Sequence, residues 1–376
     1  MIGHKRIPSR EGGVEVVVGE LATRMAALGH DVTCYSRSGH SVAGAEYDTA
    51  ANTTRPYEYR GVHVVPVPTI DAKGLAALSS SFFATLRAMR SHPAPDVIHY
   101  HAEGPCVPLR LAHMRGIRTV ATIHGLDWQR AKWGKLASAY IKFGERTAVR
   151  SADEMIVLSE PTRDYFMREY GRATHFIPNG IDLKAKIPAE EITRRWGLTS
   201  GSYVLFLGRI VPEKGLGYLL NAWRQLETDK TLVIAGGASD SAEFHGEVRA
   251  RAERIDNVKL TGFVQGRVLE ELYSNAYAYV LPSDVEGMPL SLLEAMSYGC
   301  PCITSDIPEC ADVLAGSGLV FPRASADGLR DALATALADP ASVRELGERA
   351  RCRVRDMYDW DDIVERTLAL YRGEGR

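Results

Sequence analysis

The sequence predicts an α/β protein built from two doubly wound parallel sheets, and three observations carry that prediction. Short apolar, β-branched runs alternate with longer amphipathic stretches along the whole chain, as parallel βαβ units require. The 376 residues, 45% of them apolar, are enough for two or three cores rather than one. A turn-forming cluster, Ile177-Pro-Asn-Gly-Ile-Asp182, divides the chain near Asn179.

Taken in order, strands are expected over 31–36, 62–67, 96–101, 118–124 and 154–158 in the first half, and over 203–207, 231–235, 258–261, 277–281 and 300–304 in the second. Residues 1–4 are too few for an ordinary first strand, so that strand is abbreviated or the true start lies upstream. Pro289 opens a helix through the apolar run Leu290 to Met296, and Gly299 stops it. Beyond Asp359, a final helix sets Ile363, Leu368 and Tyr371 at helical spacing and needs a surface to pack on. No internal repeat or low-complexity segment is present, although the two halves read as one architecture used twice.

Composition removes several function classes. A formal charge of −2 argues against a nucleic-acid partner. Charge is nevertheless uneven: residues 1–150 hold 19 basic and 12 acidic side chains, net +7, leaving net −9 for residues 151–376. Cys34, Cys106, Cys300, Cys302, Cys310 and Cys352 lack the spacing of a disulfide scaffold or zinc knuckle, which suits free thiols in a reducing, cytoplasmic setting. No apolar run reaches the ~18–20 residues of a membrane span, and no signal peptide is visible.

The segment Ser283-Asp-Val-Glu-Gly-Met-Pro-Leu-Ser-Leu-Leu-Glu294 joins a strand end, a glycine and a helix N-terminus, where backbone N–H groups form an anion site. Its two acids suit vicinal diols, one on a ribose and one on a sugar, since a carboxylate accepts both hydroxyl hydrogens; the alternative is a helix-dipole acid and a solvated one. Gly208-Arg-Ile-Val-Pro-Glu-Lys-Gly215 follows a strand directly, so Arg209 and Lys214 stand at the ligand-binding sheet edge, as a diphosphate clamp or as an ordinary solvated loop. Arg10-Glu-Gly-Gly-Val14 offers a phosphate-approach loop, while the dinucleotide and P-loop fingerprints are absent. His99 and His101 share a strand face with His124 ending the next strand. No carboxylate or cysteine completes a metal set, so hydrogen bonding is the preferred role. Asp359-Trp-Asp361 reads as helix capping rather than metal binding. Residues 128–150 hold six basic side chains and one acid, with Trp133, Leu136, Tyr140 and Ile141 at helical spacing; this describes a helix on an anionic membrane or one packed on a sheet.

With these segments in place, the whole chain resembles the retaining GT-B glycosyltransferases of family 4. Carrying the resemblance are Glu286 to Glu294 at Glu-x7-Glu spacing, Gly208-Arg209 with Lys214-Gly215 upstream, Gly12-Gly13, His124, Asn179-Gly180 and Thr261-Gly-Phe-Val264. Gly3-His-Lys-Arg-Ile-Pro8, His124-Gly-Leu-Asp-Trp-Gln-Arg-Ala-Lys-Trp133 and Ile177-Pro-Asn-Gly180 resemble a bacterial surface-polysaccharide subgroup that includes rhamnosyltransferases. The resemblance implies two Rossmann-like domains facing across a cleft: residues 1–178 on the acceptor side, residues 179–355 binding the nucleotide sugar, and residues 356–376 as a helix crossing back to the N-terminal domain.

The resemblance also implies roles. Glu286 holds donor-sugar hydroxyls, the amides of Gly287, Met288, Pro289 and Leu290 face the diphosphate, Glu294 holds ribose, and Arg209 and Lys214 clamp the diphosphate. Val264 lies where the base is met; His124 lies near the reacting sugar, and Gly12 and Gly13 belong to the loop closing over the phosphates. His101, Glu103 and Asp127 are the acceptor-side candidates. No cofactor and no metal are implied. The expected partners are a nucleotide-sugar donor, a glycan or lipid-linked acceptor and an anionic membrane met peripherally. A ribose contact by Glu294 favours UDP, because deoxythymidine lacks the 2′-hydroxyl, whereas the rhamnosyltransferase likeness favours dTDP-rhamnose. The rival classes are a hydrolase using Glu286 and Glu294, whose separation along a helix fits one extended ligand better, and a silent nucleotide-sugar-binding protein.

Overall fold

The computed structural model describes residues 1–39, 54–70, 72, 75–129, 134–237 and 242–374. Trp133, expected on the basic helix, lies outside the described residues. The chain divides into two units, Met1–Gly180 with Trp360–Arg376, and Ile181–Asp359.

The first unit has strands β1 (Val32–Arg37), β2 (Tyr57–Tyr59), β3 (Val62–Val67), β4 (Val97–His101), β5 (Arg118–Ile123), β6 (Glu154–Val157) and β7 (His175–Phe176). They pair in the orders β1-β3-β2 and β4-β5-β6-β7, all parallel except β2 against β3. The N-terminal segment joins the two sets, with the Tyr35 and Arg37 N–H groups of β1 donating to the Met1 and Lys5 carbonyls at 3.0 and 2.7 Å. Ile2 bridges Tyr35 of β1 on one side and Tyr100 of β4 on the other, both in parallel register. The abbreviated first strand is therefore the centre of the sheet, held by Ile2 N–H to the His99 carbonyl at 2.9 Å and His101 N–H to the Ile2 carbonyl at 2.8 Å. Ile2, Tyr100, Ile123, Met155 and Phe166 sit in one buried cluster with Leu109 and Ala148 from the flanking helices.

The terminal helix Trp360–Arg372 belongs to this unit, where its apolar stripe finds its surface. Ile363, Val364, Leu368 and Leu370 are buried, and the Arg24 guanidinium lies over the Trp360 ring at 5.4 Å. The Arg118 Nε donates to the Leu370 carbonyl at 3.0 Å.

The second unit contains β8 (Tyr203–Leu207), β9 (Thr231–Ala235), β10 (Val258–Gly262), β11 (Ala278–Leu281), β12 (Cys302–Ser305) and β13 (Leu319–Phe321), all parallel, in the order β10-β9-β8-β11-β12-β13. The strand order reverses between β8 and β11, the topological switch point at which open α/β sheets bind ligands. Trp223, Phe206, Leu219 and Ile234 fill its core, which makes the sheet a rigid platform for the loops at that edge. With Ile2 counted as a strand, the first unit repeats this order, and its reversal falls between Ile2 and β4.

Candidate active site

At the switch point of the second unit, β8 ends at Leu207 and the chain passes through Gly208 and Arg209 into a single turn, Pro212–Lys214. Gly215 ends that turn at φ +69°, and a Cβ there would lie 1.9 Å from the Pro282 carbonyl oxygen, so only glycine lets the turn lie against the end of β11. The Asp284 N–H donates to the Glu213 carbonyl at 2.8 Å and ties the two loops together. Their closeness brings Lys214 Nζ to Glu286 Oε1 at 2.5 Å, with the side chains only 12% and 10% exposed. Ser283 Oγ donates to the same carboxylate oxygen at 2.6 Å, and Ser305 Oγ donates to the Ser283 carbonyl, so β12 supports the loop from behind. A mostly buried, charge-assisted pair of this kind is fixed in place before any ligand arrives.

The helix Leu290–Ser297 begins at Pro289, whose extended backbone (φ −77°, ψ 102°) turns the chain into it. Gly287, Met288 and Pro289 are buried. Proline has no N–H, so within 287–290 amide donors come only from Gly287, Met288 and Leu290, which corrects the expectation that all four serve. Glu294 lies within the helix and accepts from the Tyr273 hydroxyl at 3.1 Å, while the Tyr273 ring stacks on Tyr298 at 5.7 Å. Tyr279 OH bonds Ser291 Oγ at 2.8 Å, and burial pushes its phenol well above the usual range. Arg209 and Val264 are half-buried, at the ends of β8 and β10 respectively.

In the first unit, the corresponding reversal collects the histidines. A Cβ on Gly3 (φ +124°) would fall 2.2 Å from the His101 carbonyl oxygen, so the backbone passes directly over the end of β4. His101 Nδ1 meets His124 Nε2 at 3.1 Å, and the His99 and His101 rings lie 4.1 Å apart. His99 is held by Tyr371 OH at 2.6 Å and Thr122 Oγ1 at 2.7 Å. Burial pushes His99 and His101 well below the usual histidine range and His4 to about 3, with Arg37 and the chain terminus adding to the effect on His4, so these rings are neutral hydrogen-bonding groups. Among the described residues, no three His, Cys, Asp or Glu side chains converge in a metal-holding group.

Gly12 precedes the helix Gly13–Ala27 as its N-terminal cap, and the following turn is fixed by Lys5 N–H donating to Glu15 Oε1 at 3.0 Å. Glu103 is fully buried and accepts from the Asp127 N–H through both oxygens at 3.2 Å; burial first, then the Asp127 and Glu145 charges, push its carboxyl well above the usual range. Its link to Asp127 therefore runs through the Asp127 backbone. Ser283, Tyr273 and Glu145 were not singled out by sequence reasoning. Glu145, fully buried, accepts from Trp128 Nε1 at 3.1 Å, Tyr165 OH at 2.9 Å and Tyr170 OH. Only Ser283 had a local signal, lying three residues before Glu286; the partners of the other two are distant in sequence.

Comparison with known proteins bears on this geometry. Two family models match in succession, Glycosyltransferase Family 4 over residues 11–185 and Glycosyl transferases group 1 over residues 189–353. The alpha-maltose-1-phosphate synthase of Mycobacterium tuberculosis is 31% identical over 326 residues, covering 79% of this chain and 84% of the relative. The chain belongs to glycosyltransferase family 4. This family 4 glycosyltransferase has the GT-B fold, matching sucrose-phosphate synthase from Thermosynechococcus elongatus at a TM-score of 0.80 and 23% identity over 99% of this chain and 95% of the other. It also matches Anabaena HepE, solved in complex with UDP and glucose, at a TM-score of 0.80 and 16% identity over 98% of each chain. It is a glycosyltransferase that uses nucleotide sugars.

Proposed function

We propose that this glycosyltransferase is a retaining, metal-independent hexosyltransferase. In this reading it moves a sugar from a nucleoside diphosphate to a glycan or lipid-linked acceptor in cell-surface polysaccharide synthesis. The observation that carries the reading is the preformed Lys214–Glu286 pair at the switch point of the second unit. An arriving diphosphate competes with Glu286 for Lys214 and draws in Arg209, while Gly287, Met288 and Leu290 supply amide donors. Glu286, relieved of the ammonium, accepts hydrogen bonds from the donor sugar, and Ser283 keeps it aimed. As the sugar–phosphate bond breaks, negative charge grows on the departing diphosphate, and the fixed cations stabilise it without reorganising. The acceptor oxygen attacks from the face the phosphate leaves, and a phosphate oxygen takes its proton, so no covalent carboxylate intermediate forms.

Glu294 holds the ribose, with Tyr273 fixing its carboxylate, and this supports UDP over a deoxyribonucleotide donor. A UDP donor accords with HepE, a protein of the same fold that binds UDP; dTDP-rhamnose is the donor favoured by the rhamnosyltransferase likeness. Val264 lies beside the base, and Gly12 and Gly13 let the chain approach the phosphates. His124 faces the reacting sugar. His101 and Glu103, both fully buried, act on it and on the acceptor indirectly, by holding His124 and the Asp127 backbone. The protein works in the cytoplasm, with the cationic first unit turned to an anionic membrane. No helix among the described residues is long and apolar enough to cross one.

Turnover of a panel of nucleotide sugars with an acceptor mixture, followed by nucleotide release and by the anomeric configuration of the product, tests the proposal. Transfer with retained configuration, much faster than donor hydrolysis and undiminished by excess EDTA, is expected. Hydrolysis as fast as transfer would favour the hydrolase instead, and a magnesium-reversible loss under EDTA would refute metal independence.

A further inference from the structure

Away from the candidate active site, the first unit has a cavity of about 590 Å³ beside the helices Leu109–His113 and Lys135–Ser151, lined by Arg110, Arg146, Arg150 and Phe143 among others. Arg146 and Arg150 are one helical turn apart, with Phe143 on the same face, and Arg110 meets them from the other helix. Like charges at this spacing oppose folding unless an anion joins them. The ion pairs formed nearby join Arg118 and His175 to Glu154 and His113 to Asp153, and involve none of the three arginines. Arg146 also lies beside the Tyr170 hydroxyl. The one acid of the helix Lys135–Ser151, Glu145, is turned inward, and the helix Leu109–His113 has none, so neither helix places a carboxylate on its outer face.

Large apolar side chains stand on the same outer surface. Leu136 is 89% exposed, Met114 69% and Phe143 57%. A soluble phosphate would satisfy the arginines but leave these side chains in water, whereas an anionic lipid surface accommodates both. We propose that Arg110, Arg146 and Arg150 form a pocket for the phosphate of an anionic phospholipid headgroup, with Phe143, Leu136 and Met114 entering the apolar layer beside it. This deepens the membrane-facing reading above and rests on it.

The test is sedimentation with phosphatidylcholine vesicles, with and without phosphatidylglycerol, at low salt. The wild type is compared with the double variant Arg110→Gln/Arg150→Gln and with a control, Arg55→Gln/Arg90→Gln, that removes equal charge from exposed positions of the first unit outside the cavity and distant in sequence from Met114 and Leu136. The wild type should prefer acidic vesicles; the pocket double should lose about thirtyfold in partitioning and the control less than about threefold. Equal losses in both doubles would overturn the pocket and leave a diffuse membrane attraction standing. No preference of the wild type for acidic vesicles would overturn both. A thermal shift by sn-glycerol 3-phosphate that the pocket double abolishes, without vesicle preference in the wild type, would identify a soluble phosphate ligand instead. An unchanged melt and unchanged turnover of a soluble acceptor by the pocket double show that it is folded.

Discussion

Glu286 and Glu294 stand in different company, and that difference separates their expected effects. Glu286 takes an ammonium and a hydroxyl on one oxygen in a loop, so removing it leaves Lys214 misplaced where charge develops. Glu286→Ala is expected to lower kcat by roughly 10²-fold, about 2.7 kcal/mol. Glu294 is set by Tyr273 from a neighbouring helix, and a ribose contact is nearly the same in ground and transition states. Glu294→Ala should therefore raise the donor KM with a smaller change in kcat, and Tyr273→Phe should do the same more weakly. Steady-state kinetics beside thermal melts check the assignment, and a larger kcat loss at Glu294 than at Glu286 would reverse it. Both acids and Lys214 were legible in the sequence because each lies in a short segment with a strand end, a glycine and a helix start. Tyr273 was not, because its bond to Glu294 exists only once two helices have packed; Glu145 was hidden for the same reason, its three donors coming from two distant places in the chain, Trp128 and the helix Glu160–Tyr170.

The terminal helix is the element whose removal should matter most. Trp360, 3% exposed, packs against Gly180, where an added Cβ would come within 2.4 Å of the indole. Gly180→Ala should cost about 1–3 kcal/mol through overpacking, and Trp360→Ala about 3–5 kcal/mol through the cavity left behind. Denaturant unfolding of each variant checks this; no measurable loss for Trp360→Ala would mean that the helix is dispensable to the first unit. Most strands were readable from alternating apolar runs, within a residue or two at their ends. β2, β7 and β13 were not, since two or three residues are too few to show a period. The expected stripe on the basic helix also broke: Ile141 is buried, but Leu136 points to solvent, because the helix offers its inner face through Ile141, Gly144, Glu145 and Ala148. Helical spacing identifies a shared face without saying what covers it.

For the molecule as a whole, the buried histidines predict an acid-sensitive fold. His4, His99 and His101 are neutral when folded, with pKa values held below the ordinary 6.5 by burial, so the unfolded chain binds more protons as pH falls below about 6.5. Stability should be fully present above that pH and fall as it is lowered, by up to roughly 4 kcal/mol per pH unit if all three titrate only on unfolding. Denaturant curves between pH 7.5 and about 5 check the sign; a flat or rising stability on acidification would contradict it. The order of strands in both sheets, and with it the position of the switch point, was implied by family resemblance and not by periodicity, since strand order is a long-range property. The central claim, that a nucleoside diphosphate binds where β8 and β11 part, is tested most directly by thermal shift with UDP on the wild type and on Lys214→Ala. At about 100 times Kd the wild type should gain roughly 2.7 kcal/mol, or about 5–10 °C, and the variant should lose most of that gain at the same concentration. An equal shift in both proteins would contradict the site.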